Sequence, residues 1–148
     1  MATSVMATSD TRDFAIGVGA MVGDRYRLER PVGNWGMASV SVAWDQVLDQ
    51  RVAIRVLRKS LAREASAQES FAQVARSAAA IDSDHILRLL DIGTCAEGTP
   101  YVVSEYPEGP SLAQLHRALG PLTEREVAAI GLQLCSALQA AHAAQVGS

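Results

Sequence analysis

Residues 52–57 read Val52-Ala53-Ile54-Arg55-Val56-Leu57. Period-two alternation places Val52, Ile54 and Val56 on one face and Ala53, Arg55 and Leu57 on the other, so the segment reads as a strand that uses both faces. Upstream, Tyr26 to Val32 reads as a strand, Gly33-Asn34-Trp35-Gly36 as a glycine-containing loop, and Ser39 to Trp44 as a strand with Val40, Val42 and Trp44 on one face. Together they predict a hairpin. Downstream, Ser66-Ala67-Gln68-Glu69 has capping-box spacing and predicts a helix to Ile81, with Phe71, Val74, Ala75 and Ala78 sharing a face. Ile86 to Ile92 and Tyr101 to Tyr106 read as two more strands, joined by a turn at Glu97-Gly98-Thr99-Pro100. Past Gly109-Pro110 the strand signal stops. Ser111 to Gln114 caps a short helix and Thr123 to Glu126 a long one, on which Val127, Ile130, Leu134, Leu138 and Ala141 recur at helical spacing. The expected fold is α+β: a five-stranded antiparallel sheet with one inserted helix, then two helices.

The chain has 148 residues, a length that fits one domain and excludes two full ones. With 49% hydrophobic and 20% charged residues it has globular composition. A net charge of −3, with basic residues scattered singly, lacks the footprint of a nucleic-acid binder. Cys95 and Cys135 have neither zinc spacing nor the numbers for a disulfide scaffold, which reads as a reducing cytoplasm. Phe14 to Val22 is interrupted by Gly17 and Gly19 and is too short to span a bilayer, and no basic segment precedes it, so no membrane partner is expected. Met-Ala-Thr-Ser occurs at both Met1 and Met6, and residues 1–23 read as a polar, disordered leader with Met6 as an alternative start. Gly17-Val18-Gly19-Ala20-Met21-Val22-Gly23 imitates a dinucleotide fingerprint, but no strand precedes it and a strand rather than a helix follows. His85, His116 and His142 stand apart in sequence and suggest no metal centre.

The order of elements, and the residues at their landmarks, resemble the bacterial eukaryotic-type (Hanks) serine/threonine protein kinases. The matching stretches are Arg25-Tyr26-Arg27-Leu28, residues 52–57, Tyr101-Val102-Val103-Ser104-Glu105-Tyr106-Pro107-Glu108-Gly109, and Gly120-Pro121-Leu122-Thr123 leading to Ala141-His142-Ala143-Ala144. The resemblance implies a kinase-like N-lobe over residues 24–109 and the start of an incomplete C-lobe over residues 110–148. It also implies a nucleotide pocket with Val32 and Val40 as its roof, Ala53 against adenine, Ser104 as gatekeeper, and the backbone from Glu105 through Tyr106 to Pro107 as hinge. Alternating Val and Ala are equally compatible with ordinary core.

The sequence departs from the family where phosphate is handled. In such kinases a Gly-x-Gly-x-x-Gly loop brings backbone N–H groups to the phosphates, and a lysine on the third strand pairs with a glutamate of the helix. Here the loop keeps Gly33 and Gly36, but Trp35 and Ala38 replace the second and third glycines. Arg55 stands at the lysine position and Val74 where the acid belongs. Arginine and lysine are not interchangeable at a packed site. The single lysine, Lys59, lies about 13 Å further along an extended chain and cannot substitute. No His-Arg-Asp loop and no Asp-Phe-Gly triplet occurs in the 148 residues. The resemblance therefore implies a pseudokinase-like, non-catalytic signalling module that binds a protein partner, with no required cofactor, no metal ligands and ATP as an optional ligand at Val32, Gly33, Gly36, Val40, Ala53, Arg55, Ser104, Glu105 and Tyr106. The alternative is a truncated ATP-binding fragment of a serine/threonine kinase. The apolar face of the long helix predicts self-association.

Overall fold

The computed structural model describes residues 16–146. Six strands form one antiparallel sheet: β1 (Met21–Val22), β2 (Tyr26–Trp35), β3 (Ala38–Asp45), β4 (Gln50–Leu57), β5 (Leu89–Thr94) and β6 (Pro100–Glu105), in the spatial order β1-β2-β3-β4-β6-β5. Helix α1 (Ala65–Ala79) is inserted between β4 and β5, and α2 (Leu112–Leu119) and α3 (Glu124–Val146) follow the sheet.

The expected class holds, with one strand more than the sequence indicated. β1 pairs Met21 with Arg27 and Val22 with Tyr26, inside the segment read as leader, and Val22 is buried. Two residues are too few to display a period-two pattern, which is why this strand escaped the reading. Ile16 of the same segment packs against the cluster that holds Val22, and residues 1–15 lie outside the described residues.

Strand β4 is central and has both faces covered, as its sequence demanded. Val52, Ile54 and Val56 join Tyr26, Leu28, Ala43, Tyr101 and Val103 in one cluster. On the other face Leu57 joins Ala38, Val102 and the α1 residues Ala67, Phe71 and Ala75. In the first cluster the Tyr26 and Tyr101 rings meet edge-on with centroids 6.1 Å apart. The Tyr26 hydroxyl donates to Asp91 Oδ2 at 2.7 Å, which ties β2 to β5 across the curl of the sheet. Gly93 is required there, because a Cβ at this position would run into the Tyr101 ring.

Other differences are local. The β2–β3 hairpin is tighter than the expected loop: pairing continues through Trp35 and Ala38, and Gly36 takes the turn with φ 56°. Helix α1 begins at Ala65, not at Ser66, with Glu64 as N-cap and no side-chain cap bond. Leu61 packs against the Phe71 cluster and Glu64 N–H donates to its carbonyl, so a turn anchored by Leu61 leads into the helix one residue earlier. The expected box of Ser66 with Glu69 does not cap the helix, and Gln68 donates from its side chain to the Ala62 carbonyl at 2.6 Å. β5 starts at Leu89 rather than Ile86. The Ser111–Gln114 box is formed at α2. At α3 the reciprocal bonds between Thr123 and Glu126 are formed as well.

Candidate functional site

Strand register assembles the site. Gly33, Val40, Arg55 and Val102 are successive partners on one rung across β2, β3, β4 and β6, and Val42, Ala53, Ser104 and Leu89 form the next rung on the same face, two residues along. Arg55 therefore stands on the α1-facing side of the sheet, one rung from Ser104. Its Nη1 donates to the Ser104 hydroxyl at 2.8 Å, and that hydroxyl donates to the Glu105 carbonyl at 3.4 Å. Ser104 is only 1% exposed, so this bond is made inside the protein. Burial pushes the Arg55 guanidinium below its ordinary pKa, and no acid offsets that shift.

Across from Arg55, α1 offers no carboxylate. Val74 lines the same groove as Arg55, as the sequence reading required, and is 62% exposed. Glu69 pairs instead with Arg76 at 3.0 Å along the helix surface. The ion pair that would join β4 to α1 is replaced by a bond within the sheet.

The hairpin tip, where the family has its phosphate loop, carries bulky side chains. Trp35 sits at the tip of the hairpin, 57% exposed, and reaches the groove that holds Arg55. Met37 packs against the α1-side cluster, and the Met37 carbonyl accepts from Arg58 N–H at 2.8 Å. This loop has a bulky indole where close backbone approach to an anion would need none.

The expected nucleotide residues separate into three groups. Arg55 and Ser104 line a groove of about 610 Å³ between α1 and the sheet, with Phe71, Val74, Ala78 and Leu89 among its walls. Glu105 and Tyr106 line a second concavity of about 440 Å³ on the hinge side, next to Arg51 and Pro107. Val32, Gly33, Gly36, Val40 and Ala53 line neither, and Val40 and Ala53 are buried. The hinge is also short of donors. Glu105 N–H is bonded to the Arg88 carbonyl at 3.0 Å, and Pro107 has no N–H to give. Of the three hinge residues, Tyr106 is the one whose N–H is neither absent nor given to the Arg88 carbonyl. The groove walls from Met37 and from residues 85–89 were missed by sequence reading, although the shared face of Phe71, Val74, Ala75 and Ala78 had pointed toward them. Among the described residues no cluster of His, Cys, Asp or Glu has metal-binding geometry.

A curled antiparallel sheet with one inserted helix, a central strand presenting a cation toward that helix, and a connection into further helices define a small lobe of protein-kinase type. The chain belongs to the protein tyrosine and serine/threonine kinase family, whose pattern it matches over residues 27–146. It is 36% identical over 129 residues to the serine/threonine-protein kinase PrkC of Bacillus subtilis, covering 87% of this chain and 20% of that one. It is 36% identical over 122 residues to PknB of Mycobacterium tuberculosis, covering 80% and 20%. Among solved structures, the PknI kinase domain of Mycobacterium tuberculosis superposes with a TM-score of 0.69 at 25% identity, covering 86% of this chain and 51% of that one. The chain thus spans about a fifth of the length of these curated relatives. The family match runs through α3, which over Glu124–Ala144 is long and apolar enough to cross a membrane by length and composition alone. Its place inside the match makes it a helix of the kinase-type domain.

Proposed function

We propose that this chain is a non-catalytic, kinase-like signalling module of the cytoplasm that acts by binding a protein partner and does not depend on ATP. The observation that carries this reading is the commitment of Arg55 to Ser104 with Val74 opposite. In phosphoryl transfer the protein contributes positioning and charge neutralisation, and the clamp between strand and helix is one of its recurring parts. Here the cation is hydrogen-bonded to Ser104 on the neighbouring strand, the loop tip carries an indole, and Pro107 removes one amide from the hinge. The exposed apolar residues of α3, among them Val127, Leu134 and Leu138, supply surface for a partner. Two free cysteines agree with a reducing compartment.

The second reading is an ATP-binding piece of a serine/threonine kinase, favoured by the match to only about half of a solved kinase domain. The two differ in what ATP does. Thermal unfolding of the chain should be unmoved by magnesium-ATP. A saturable, magnesium-dependent ATP shift in the natural chain that Arg55→Ala abolishes would reject the first reading in favour of the second.

A further inference from the structure

We infer that the groove between α1 and the sheet is a binding site for a small apolar monocarboxylate, its headgroup held by Arg55 and its tail lying along α1. The inference rests on the reading of Arg55 as uncommitted to any acid of α1, and it does not depend on which protein partner the module has.

The groove has the right size and walls. Its volume of about 610 Å³ falls within the roughly 300–1,000 Å³ of small-molecule sites. Phe71, Val74, Ala78, Leu89 and Val102 make it mainly apolar, and no Asp or Glu lines it. The polar end is defined by Arg55. A guanidinium carries five N–H donors in a planar fork, and among the described residues it has one hydrogen-bond partner, Ser104, and no ion-pair partner. A half-buried cation without a counter-charge is unfavourable, and a planar carboxylate is the anion whose two oxygens match the fork. Desolvation of Arg55, with no acid to offset it, points the same way. One arginine balances one negative charge. A polyphosphate would set several further charges against hydrocarbon walls, while an alkyl tail gains by burial there.

The test uses the 148-residue protein in titration calorimetry with three probes: decanoate below its micellar range, decanamide with the same tail and no charge, and acetate with the charge and no tail. Decanoate should bind saturably, with decanamide weaker by at least about tenfold and acetate showing no saturable heat, since the difference is a charge-assisted bidentate contact. Arg55→Met should erase the preference for acid over amide, and Arg55→Lys should retain part of it. If Arg55→Met fails to fold, Ala78→Phe, which fills the groove and leaves Arg55 in place, should abolish decanoate binding. Equal affinity for decanoate and decanamide, a preference that survives Arg55→Met, or decanoate binding unaffected by Ala78→Phe would each overturn the inference. Magnesium-dependent ATP binding lost in Arg55→Ala would count against the function proposed above whatever decanoate does, so the two readings fail separately.

Discussion

Removing the Ser104 hydroxyl tests whether Arg55 is held by the sheet. In Ser104→Ala the guanidinium loses the one side-chain acceptor it has, at 2.8 Å, in a position where the serine is almost fully enclosed. A hydrogen bond to a charged group is worth about 1.5–3 kcal/mol when buried. Arg55 is only partly buried, and water on its open side recovers part of that bond, so the expected loss is about 1–2 kcal/mol. For a domain of this size that lowers the melting temperature by about 3–8 °C. Urea unfolding of the natural chain, Ser104→Ala, Arg55→Met and the double variant closes a thermodynamic cycle. The coupling should be about 1 kcal/mol, because Ser104→Ala costs little once the cation is gone. Additive single effects, within about 0.3 kcal/mol, would refute the reasoning and place the Arg55 contact elsewhere.

Asp45 anchors the start of the sheet: it is 1% exposed, accepts from Arg25 Nε and Nη2 at 2.8 Å each, and also accepts from the amides of Val47 and Leu48. The Arg25 bond holds its carboxyl below its ordinary 3.8, so the stability it contributes is present above that value and is lost as pH falls through the depressed one. Asp45→Asn should cost about 1–2 kcal/mol at neutral pH, because the Arg25 left behind is partly in water, and should flatten the acid limb of a pH series followed by circular dichroism. Gly93→Ala should destabilise by about 1–3 kcal/mol in urea unfolding, since Tyr101 has no room to yield between Gly23 and Gly93. Self-association through α3, seen as a rise in weight-average mass with concentration in sedimentation equilibrium, should be abolished by Leu134→Glu with Leu138→Glu, both of which replace exposed leucines.

The parts of the fold that were legible are those with a sustained pattern. The run Val52–Leu57 of β4, apolar except for Arg55, is what two covered faces demand, and the reciprocal caps at Ser111 and Thr123 are local chemistry that tertiary structure left alone. β1 was hidden because it has two residues, and the start of α1 because Leu61, a tertiary contact, set it instead of Ser66. At the site, the juxtaposition of Arg55 with Val74 was implied by the family resemblance, which put them at the positions of the paired lysine and glutamate. The destination of the guanidinium was not, because Ser104 is 49 residues away and only strand register brings it within reach. The hinge shortage was half written in the sequence as Pro107. The other half, Glu105 N–H taken by the Arg88 carbonyl, depends on where β5 begins.

Phosphoryl transfer is the most direct test of the claim that this kinase-family module has lost its clamp. The chain is incubated with labelled ATP, magnesium or manganese and a general protein substrate, with Arg55→Ala in parallel. No incorporation above that of the variant is predicted, because neither a helix acid for Arg55 nor a His-Arg-Asp or Asp-Phe-Gly motif is present in these 148 residues. Incorporation by the natural chain that disappears in Arg55→Ala would contradict the account.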